Sequence, residues 1–175
     1  GNGRFRGGGV RIEALDRDGL GIAGALRVPF SLPGEVWDAE SGLVEAVSDR
    51  VVPACPHFGR CGGCGLQHAS DTFVALWKRG VVERALAGQG LESIVRPTLT
   101  SPARSRRRAV FSGRRMRKSV VLGFHGWRSE VLVGVDACDV VRPGLLAARA
   151  ALAALVAAGG TRSAEVRLAV AEGPA

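Results

Sequence analysis

Three of the chain's four cysteines fall within ten residues, as Cys55-x5-Cys61-Gly-Gly-Cys64, and Cys138 follows after 73 intervening residues. If the four act together, the fold must carry residue 138 back to the loop that holds the other three. The Cys61–Cys64 spacing lets two thiolates converge on one inorganic centre, and Gly62 and Gly63 let backbone N–H groups approach the sulfurs. A disulfide framework fits poorly, because 175 residues can bury a core without staples and no secretory signal is visible. Buried thiols acting as small hydrophobes do not account for the glycines between them. A structural zinc site is the serious rival, with His57 and His68 flanking the motif. Zinc ribbons usually pair two short Cys-x2–4-Cys knuckles, whereas here one half is Cys-x5-Cys and the fourth cysteine stands alone. An iron–sulfur cluster accepts a remote cysteine more readily. Spacing favours a cluster on Cys55, Cys61, Cys64 and Cys138 and leaves zinc open.

Charge is segregated along the chain. The net charge is +8; residues 1–90 hold ten basic and ten acidic side chains, and residues 91–175 hold fourteen and six. Within Arg104 to Lys118 there are eight basic residues and no acidic one: Arg104, Arg106, Arg107, Arg108, Arg114, Arg115, Arg117 and Lys118. The use of 22 Arg against 2 Lys is a compositional bias, but bias does not explain segregation. A localised basic stripe predicts a polyanion-binding face, most often for nucleic acid. Read as a strand, Ser105–Ser112 puts Arg104, Arg106 and Arg108 on one side, where guanidinium groups grip phosphates.

Short apolar runs between turn signals predict strands at Val10–Leu15, Ile22–Leu26, Val28–Phe30, Glu35–Trp37 and Leu43–Val47, together a small antiparallel barrel over residues 10–48. Residues 1–9 form a glycine-rich tail expected to be disordered. A loop over 49–70 carries the cysteine motif. Asp71 reads as the N-cap of a helix to about Ala87, with Phe73, Val74, Trp77, Val81 and Leu86 as its core face. Residues 71–175 then form an α+β domain with further strands at Val120–His125, Glu130–Val135 and Ala164–Val170. A single helix is expected from Pro143 to about Ala158, with Leu145, Leu152, Leu155 and Val156 inward. The longest apolar run, Leu145 to Ala158, is interrupted by Arg149, so a soluble chain with no membrane contact is expected; reduced thiols as ligands imply a cytoplasmic location, and a monomer is expected. With Met116 as its sole methionine and a start at Gly-Asn-Gly, the chain reads as an interior piece of a longer protein.

The run CPHFGRCGGCGLQHAS followed by WKRGVVERAL resembles the cluster segment of the iron–sulfur-containing RNA (uracil-5-)methyltransferases. The phrases DGLGIAG and VPFSLPGEVWDAE resemble the TRAM domain, an oligonucleotide-binding-like barrel. The resemblance implies a four-iron four-sulfur cluster on the four cysteines, matched one by one, and Leu66, Gln67 and His68 also match. It implies an α+β chain in which a TRAM barrel and cluster loop precede a central RNA-binding domain. A fourth protein ligand implies a closed cluster, unlike the Cys-x3-Cys-x2-Cys of radical enzymes. The family's reaction uses S-adenosylmethionine, a cysteine nucleophile and a carboxylate base. Here every cysteine matches a cluster ligand, and no strand–glycine turn–helix unit for the cofactor is present. The Rossmann-type methyltransferase domain is therefore expected to be missing, and this chain alone to transfer no methyl group. Where the family carries an aromatic before the basic stretch, this sequence has Ala103. The implied partner is ribosomal RNA, since the transfer-RNA branch tends to lack both barrel and cluster. A non-catalytic zinc or iron–sulfur RNA-binding protein is the alternative.

Overall fold

The computed structural model describes residues 9–173, so the glycine tail, apart from Gly9, lies outside the described residues. Antiparallel sheets dominate, with few helices, in agreement with the α+β expectation. The chain divides into two compact units that cut across the linear segments. One runs to Pro53 and resumes over Leu66–Thr100; the other comprises Ala54–Gly65 and the chain from Ser101 onward. The helix after the cysteine loop thus belongs with the N-terminal strands, while the loop itself belongs with the later sheet.

The first unit contains six short strands: β1 (Val10–Arg11), β2 (Ala14–Leu15), β3 (Gly21–Ala23), β4 (Leu26–Val28), β5 (Val36–Asp38) and β6 (Gly42–Glu45). They form two three-stranded antiparallel sheets, β1-β5-β6 and β2-β3-β4. The expected strand Val10–Leu15 is split because its pairing changes midway. The Ile12 N–H bonds to the Glu35 carbonyl and the next N–H, of Glu13, bonds to that of Ile22. The segment thereby passes from one sheet to the other. The expected strands Ile22–Leu26 and Val28–Phe30 are instead a hairpin, turned at Gly24 with φ +55°, a region glycine enters without cost.

Helix α1 (Asp71–Ala87) has the expected length, but its N-cap is Ser70, not Asp71. The Ser70 hydroxyl accepts the Phe73 N–H at 3.1 Å and donates to Asp49 at 2.6 Å, so the cap also ties the helix to the preceding loop. Phe73, Val74 and Trp77 pack on buried Leu15, Leu32 and Ala69, with Val47 and Leu66 alongside.

In the second unit, strands β7 (Arg108–Arg115), β8 (Val120–His125), β9 (Leu132–Gly134) and β10 (Glu165–Ala171) form one antiparallel sheet in the order β10-β7-β8-β9. Alternation sends Ala109, Phe111 and Gly113 of β7 to one face. There Phe111 and Leu122 meet Leu152 and Val156 in the core, and Phe111 stacks on Phe124 with centroids 5.0 Å apart. A Cβ on Gly113 would lie 2.4 Å from Val156, so glycine sets how closely the helix approaches the sheet. The expected single helix is two, α2 (Pro143–Ala147) and α3 (Arg149–Gly159), separated at Ala148. Leu145, Leu152 and Val156 are buried as expected; Leu155 is exposed.

One buried charge organises the first unit. Glu35 is fully buried and accepts from Arg50 through both guanidinium Nε and Nη2, from the Trp37 indole at 3.0 Å and from the Leu32 N–H at 2.8 Å. Burial raises its pKa, but the bonds from Arg50, Trp37 and Leu32 outweigh it, leaving the carboxyl below its usual 4.5. A depressed pKa contributes stability above the unfolded value and loses it as pH falls through the folded one. Glu35→Gln should therefore cost about 2–4 kcal/mol at neutral pH, because Arg50 is left uncompensated. Urea melts at pH 7 and below pH 4.5 should show the wild-type advantage shrinking in acid.

Candidate functional site

All four cysteines lie in the second unit, each half-buried. Residues 54–65 form a run of turns, as expected of the loop, and Cys61 pairs in an antiparallel bridge with Gly126, just past β8. Two further backbone bonds fasten it there: Gly62 N–H to His125 O at 2.8 Å and Trp127 N–H to Arg60 O at 3.1 Å. A Cβ on Gly62 would stand 2.8 Å from the Gly126 carbonyl oxygen. Gly62 is thus needed for docking, not for a sulfur contact. Gly63 has the sulfur role expected of both glycines, its N–H donating to Cys61 Sγ at 3.4 Å.

Cys138 follows the end of β9 and is held from another direction. Arg104 N–H bonds to Asp139 O, Arg106 N–H to Val140 O and Arg142 N–H to Arg106 O, a short parallel pairing. The Val140 N–H donates to Cys138 Sγ at 3.4 Å. Burial pushes the Cys61 thiol up; the Gly63 bond opposes this, and the nearby Cys138 and Cys55 thiols add to the rise. Cys138 is therefore within electrostatic reach of Cys61 despite their separation in sequence.

Between the two cysteine-bearing segments sits His57, a buried side chain. Its Nε2 lies 2.6 Å from Asp136 Oδ1 and its Nδ1 lies 3.4 Å from an Arg60 guanidinium nitrogen. The His57 bond, ahead of smaller causes, lowers the Asp136 pKa. Of the other two histidines, His68 is buried in the first unit and His125 pairs with Glu165 at 3.0 Å. In the sequence the one signal for His57 was its position between Cys55 and Cys61.

Four thiols, two of them accepting backbone N–H groups, suit a thiolate-bound inorganic cluster. Among the described residues, no group of three or more His, Cys, Asp or Glu side chains is placed so as to hold a metal ion. If an iron–sulfur cluster is the resident group, Cys55, Cys61, Cys64 and Cys138 would hold it. It would supply a cross-link between the loop and the strand end.

The basic stripe is not one strand. Arg104 adopts φ +57°, and β7 begins only at Arg108. Arg104, Arg106 and Arg108 therefore do not share the strand face expected of them. Folding also brings acids to two members. Arg104 pairs with Asp139 at 2.9 Å, and Arg114 Nη2 lies 3.7 Å from Glu165. Arg106, Arg107, Arg108, Arg115, Arg117 and Lys118 are exposed and make no ion pair among the described residues. They form two groups at opposite ends of β7, roughly 23 Å apart at about 3.3 Å per residue. The second group occupies a tight turn closed by Met116 N–H to Ser119 O at 2.8 Å. No helix among the described residues is long and apolar enough to cross a membrane.

No protein-family model matches the chain. Curated relatives do. A Brucella suis protein named an uncharacterized RNA methyltransferase is 39% identical over 152 residues, which is 80% of this chain and 37% of that protein. One from Rhizobium meliloti with the same description is 36% identical over 94% of this chain and 44% of its own length. The 23S rRNA (uracil(1939)-C(5))-methyltransferase RlmD of Dechloromonas aromatica is 32% identical over 76% of this chain and 36% of its own. The chain is homologous to RNA methyltransferases. It spans well under half the length of these relatives. A solved structure agrees: the Pyrococcus abyssi tRNA (uracil-54, C5)-methyltransferase, in complex with S-adenosyl-L-homocysteine, shares the fold over 85% of this chain with a TM-score of 0.61 and 26% identity. This chain covers 36% of that one.

The two glycines of Cys-Gly-Gly-Cys should respond differently to a methyl group. Gly62→Ala drives a Cβ into the Gly126 carbonyl and should cost about 1–3 kcal/mol. Gly63→Ala meets only Cys61 Sγ, at 3.5 Å, and should cost under about 1 kcal/mol. Thermal melts of the two variants against wild type check this.

Proposed function

We propose that this chain is the RNA-recognising portion of an S-adenosylmethionine-dependent RNA (uracil-5-)methyltransferase, with a closed four-iron four-sulfur cluster on Cys55, Cys61, Cys64 and Cys138. The observation that carries it is that all four cysteines lie in one compact unit of a chain homologous to RNA methyltransferases. A cluster is preferred over zinc on the cysteine spacing, in which one half is Cys-x5-Cys and the fourth cysteine stands alone. The two small sheets of the first unit are read as the TRAM-like barrel. The segments 10–48, 49–70 and 71–175 keep their proposed roles as barrel, cluster loop and central RNA-binding domain, even though the compact units are drawn differently. Methyl transfer belongs to the part of the relatives' length that this chain does not match. The protein is read as a cytoplasmic monomer.

Ribosomal RNA is the favoured substrate because relatives named for 23S rRNA match most of this chain. The architecture itself no longer favours it, since a tRNA enzyme shares the fold over 85% of the chain. The phosphate-binding residues are the six unpaired cations, in two groups, and Arg104 and Arg114 are structural.

Salt titrations on one single-stranded RNA test this. Each phosphate contact adds about −0.7 to the slope of log affinity against log salt. Replacing Arg106, Arg107 and Arg108 by Ala should make the slope shallower by about two, and replacing Arg115, Arg117 and Lys118 should do the same, independently. Arg104→Ala and Arg114→Ala should leave it unchanged. Slopes insensitive to both triple variants would move the RNA site out of this sheet.

A further inference from the structure

We infer that the His57–Asp136 hydrogen bond is a latch that gathers the thiols before any inorganic group binds, which makes His57 and Asp136 positioning residues for the site. The inference rests on the four-thiol reading above, but not on which group the thiols hold.

His57 is two residues past Cys55, and Asp136 is two residues before Cys138, so the bond joins the two donor segments at matching places. The ring is fully committed. Arg60 has only N–H groups to offer, so its nitrogen 3.4 Å from Nδ1 makes Nδ1 the acceptor. With Nδ1 accepting, Nε2 carries the proton and donates to Asp136 Oδ1 at 2.6 Å, and the Asp136 backbone nitrogen lies 3.4 Å from the same Nε2. The His57 carbonyl is engaged too, accepting the Cys61 N–H at 2.8 Å and the Arg60 N–H at 3.2 Å. One residue therefore fixes the turn between Cys55 and Cys61 by its backbone and the approach of the Cys138 segment by its side chain. The His57 side of the bond is buried, 8% exposed, whereas the Asp136 side chain is 75% exposed.

The metal-free, reduced chain provides a test that needs no cluster. A short thiol-specific bridging reagent is added, and the rate of Cys61–Cys138 cross-linking is followed by peptide mapping. His57→Ala and Asp136→Ala should each slow it about tenfold, through the fall in effective concentration, and the double variant should be no slower than either. His57→Gln keeps a donor near the Nε2 position and Asp136→Asn keeps an acceptor oxygen, so both should stay within about threefold of wild type. Should an alanine variant fail to fold, these two milder variants carry the test. Wild-type rates in both alanine variants would overturn the latch. So would single-variant losses that multiply in the double, or Asp136→Asn behaving like Asp136→Ala. In anaerobically loaded protein, iron release to a chelator should quicken in the same order of variants. If the wild-type chain takes up no iron and sulfide, the cluster reading fails and cross-linking alone decides the latch.

Discussion

The second unit depends on closing a gap of 73 residues between Cys64 and Cys138, and that closure is made by hydrogen bonds. The sheet supplies the frame. Strands β8 and β9 pair closely enough that a Cβ on Gly123 would lie 1.9 Å from the Val133 carbonyl oxygen. The ends of these strands present Gly126 to the cysteine loop and Cys138 to the Arg104–Arg106 segment. Neither cysteine segment is itself regular secondary structure. The Cys61 segment is fastened beside the end of β8, and the Cys138 segment is fastened to the irregular Arg104–Arg106 stretch.

The same economy shapes the charges. A stretch that is wholly basic in sequence is partly neutralised in space, because Asp139 sits beside Cys138 and Glu165 opens β10 opposite Arg114. The Arg104–Asp139 pair adds a side-chain contact to the backbone pairing that steadies the Cys138 segment. Of the eight basic residues in that stretch, Arg104 and Arg114 have acidic partners and the other six are exposed. Glu165, with Ser112 and His125 as hydrogen-bond partners that hold its pKa low, stays a carboxylate at neutral pH and keeps Arg114 engaged.

Much of this was legible in the sequence where the signal is local. The four cysteines declared themselves by spacing, α1 by its apolar period and Gly88, and β8 by an unbroken apolar run. The failures are non-local. Val10–Leu15 reads as one strand because nothing in it says that its partner changes at Ile12. Ser105–Arg107 reads as strand by alternation, but its backbone bonds go to residues 139–142, and Arg104 turns into the left-handed region. The Ala-rich run from Pro143 carries no breaker at Ala148, so the division into α2 and α3 is not visible in it. His57 and Asp136 are 79 residues apart, and no periodicity links them. The N-cap was missed by one residue because both Ser70 and Asp71 are good caps, and only the bond from Ser70 to Asp49 decides between them.

The account turns on what four gathered thiols hold. Iron, zinc and acid-labile sulfide analysis of the chain purified without oxygen, alongside its visible spectrum, measures this most directly. About four irons and four sulfides per chain with broad visible absorption, all lost in Cys138→Ser, is the predicted result. One zinc per chain with no sulfide would contradict it.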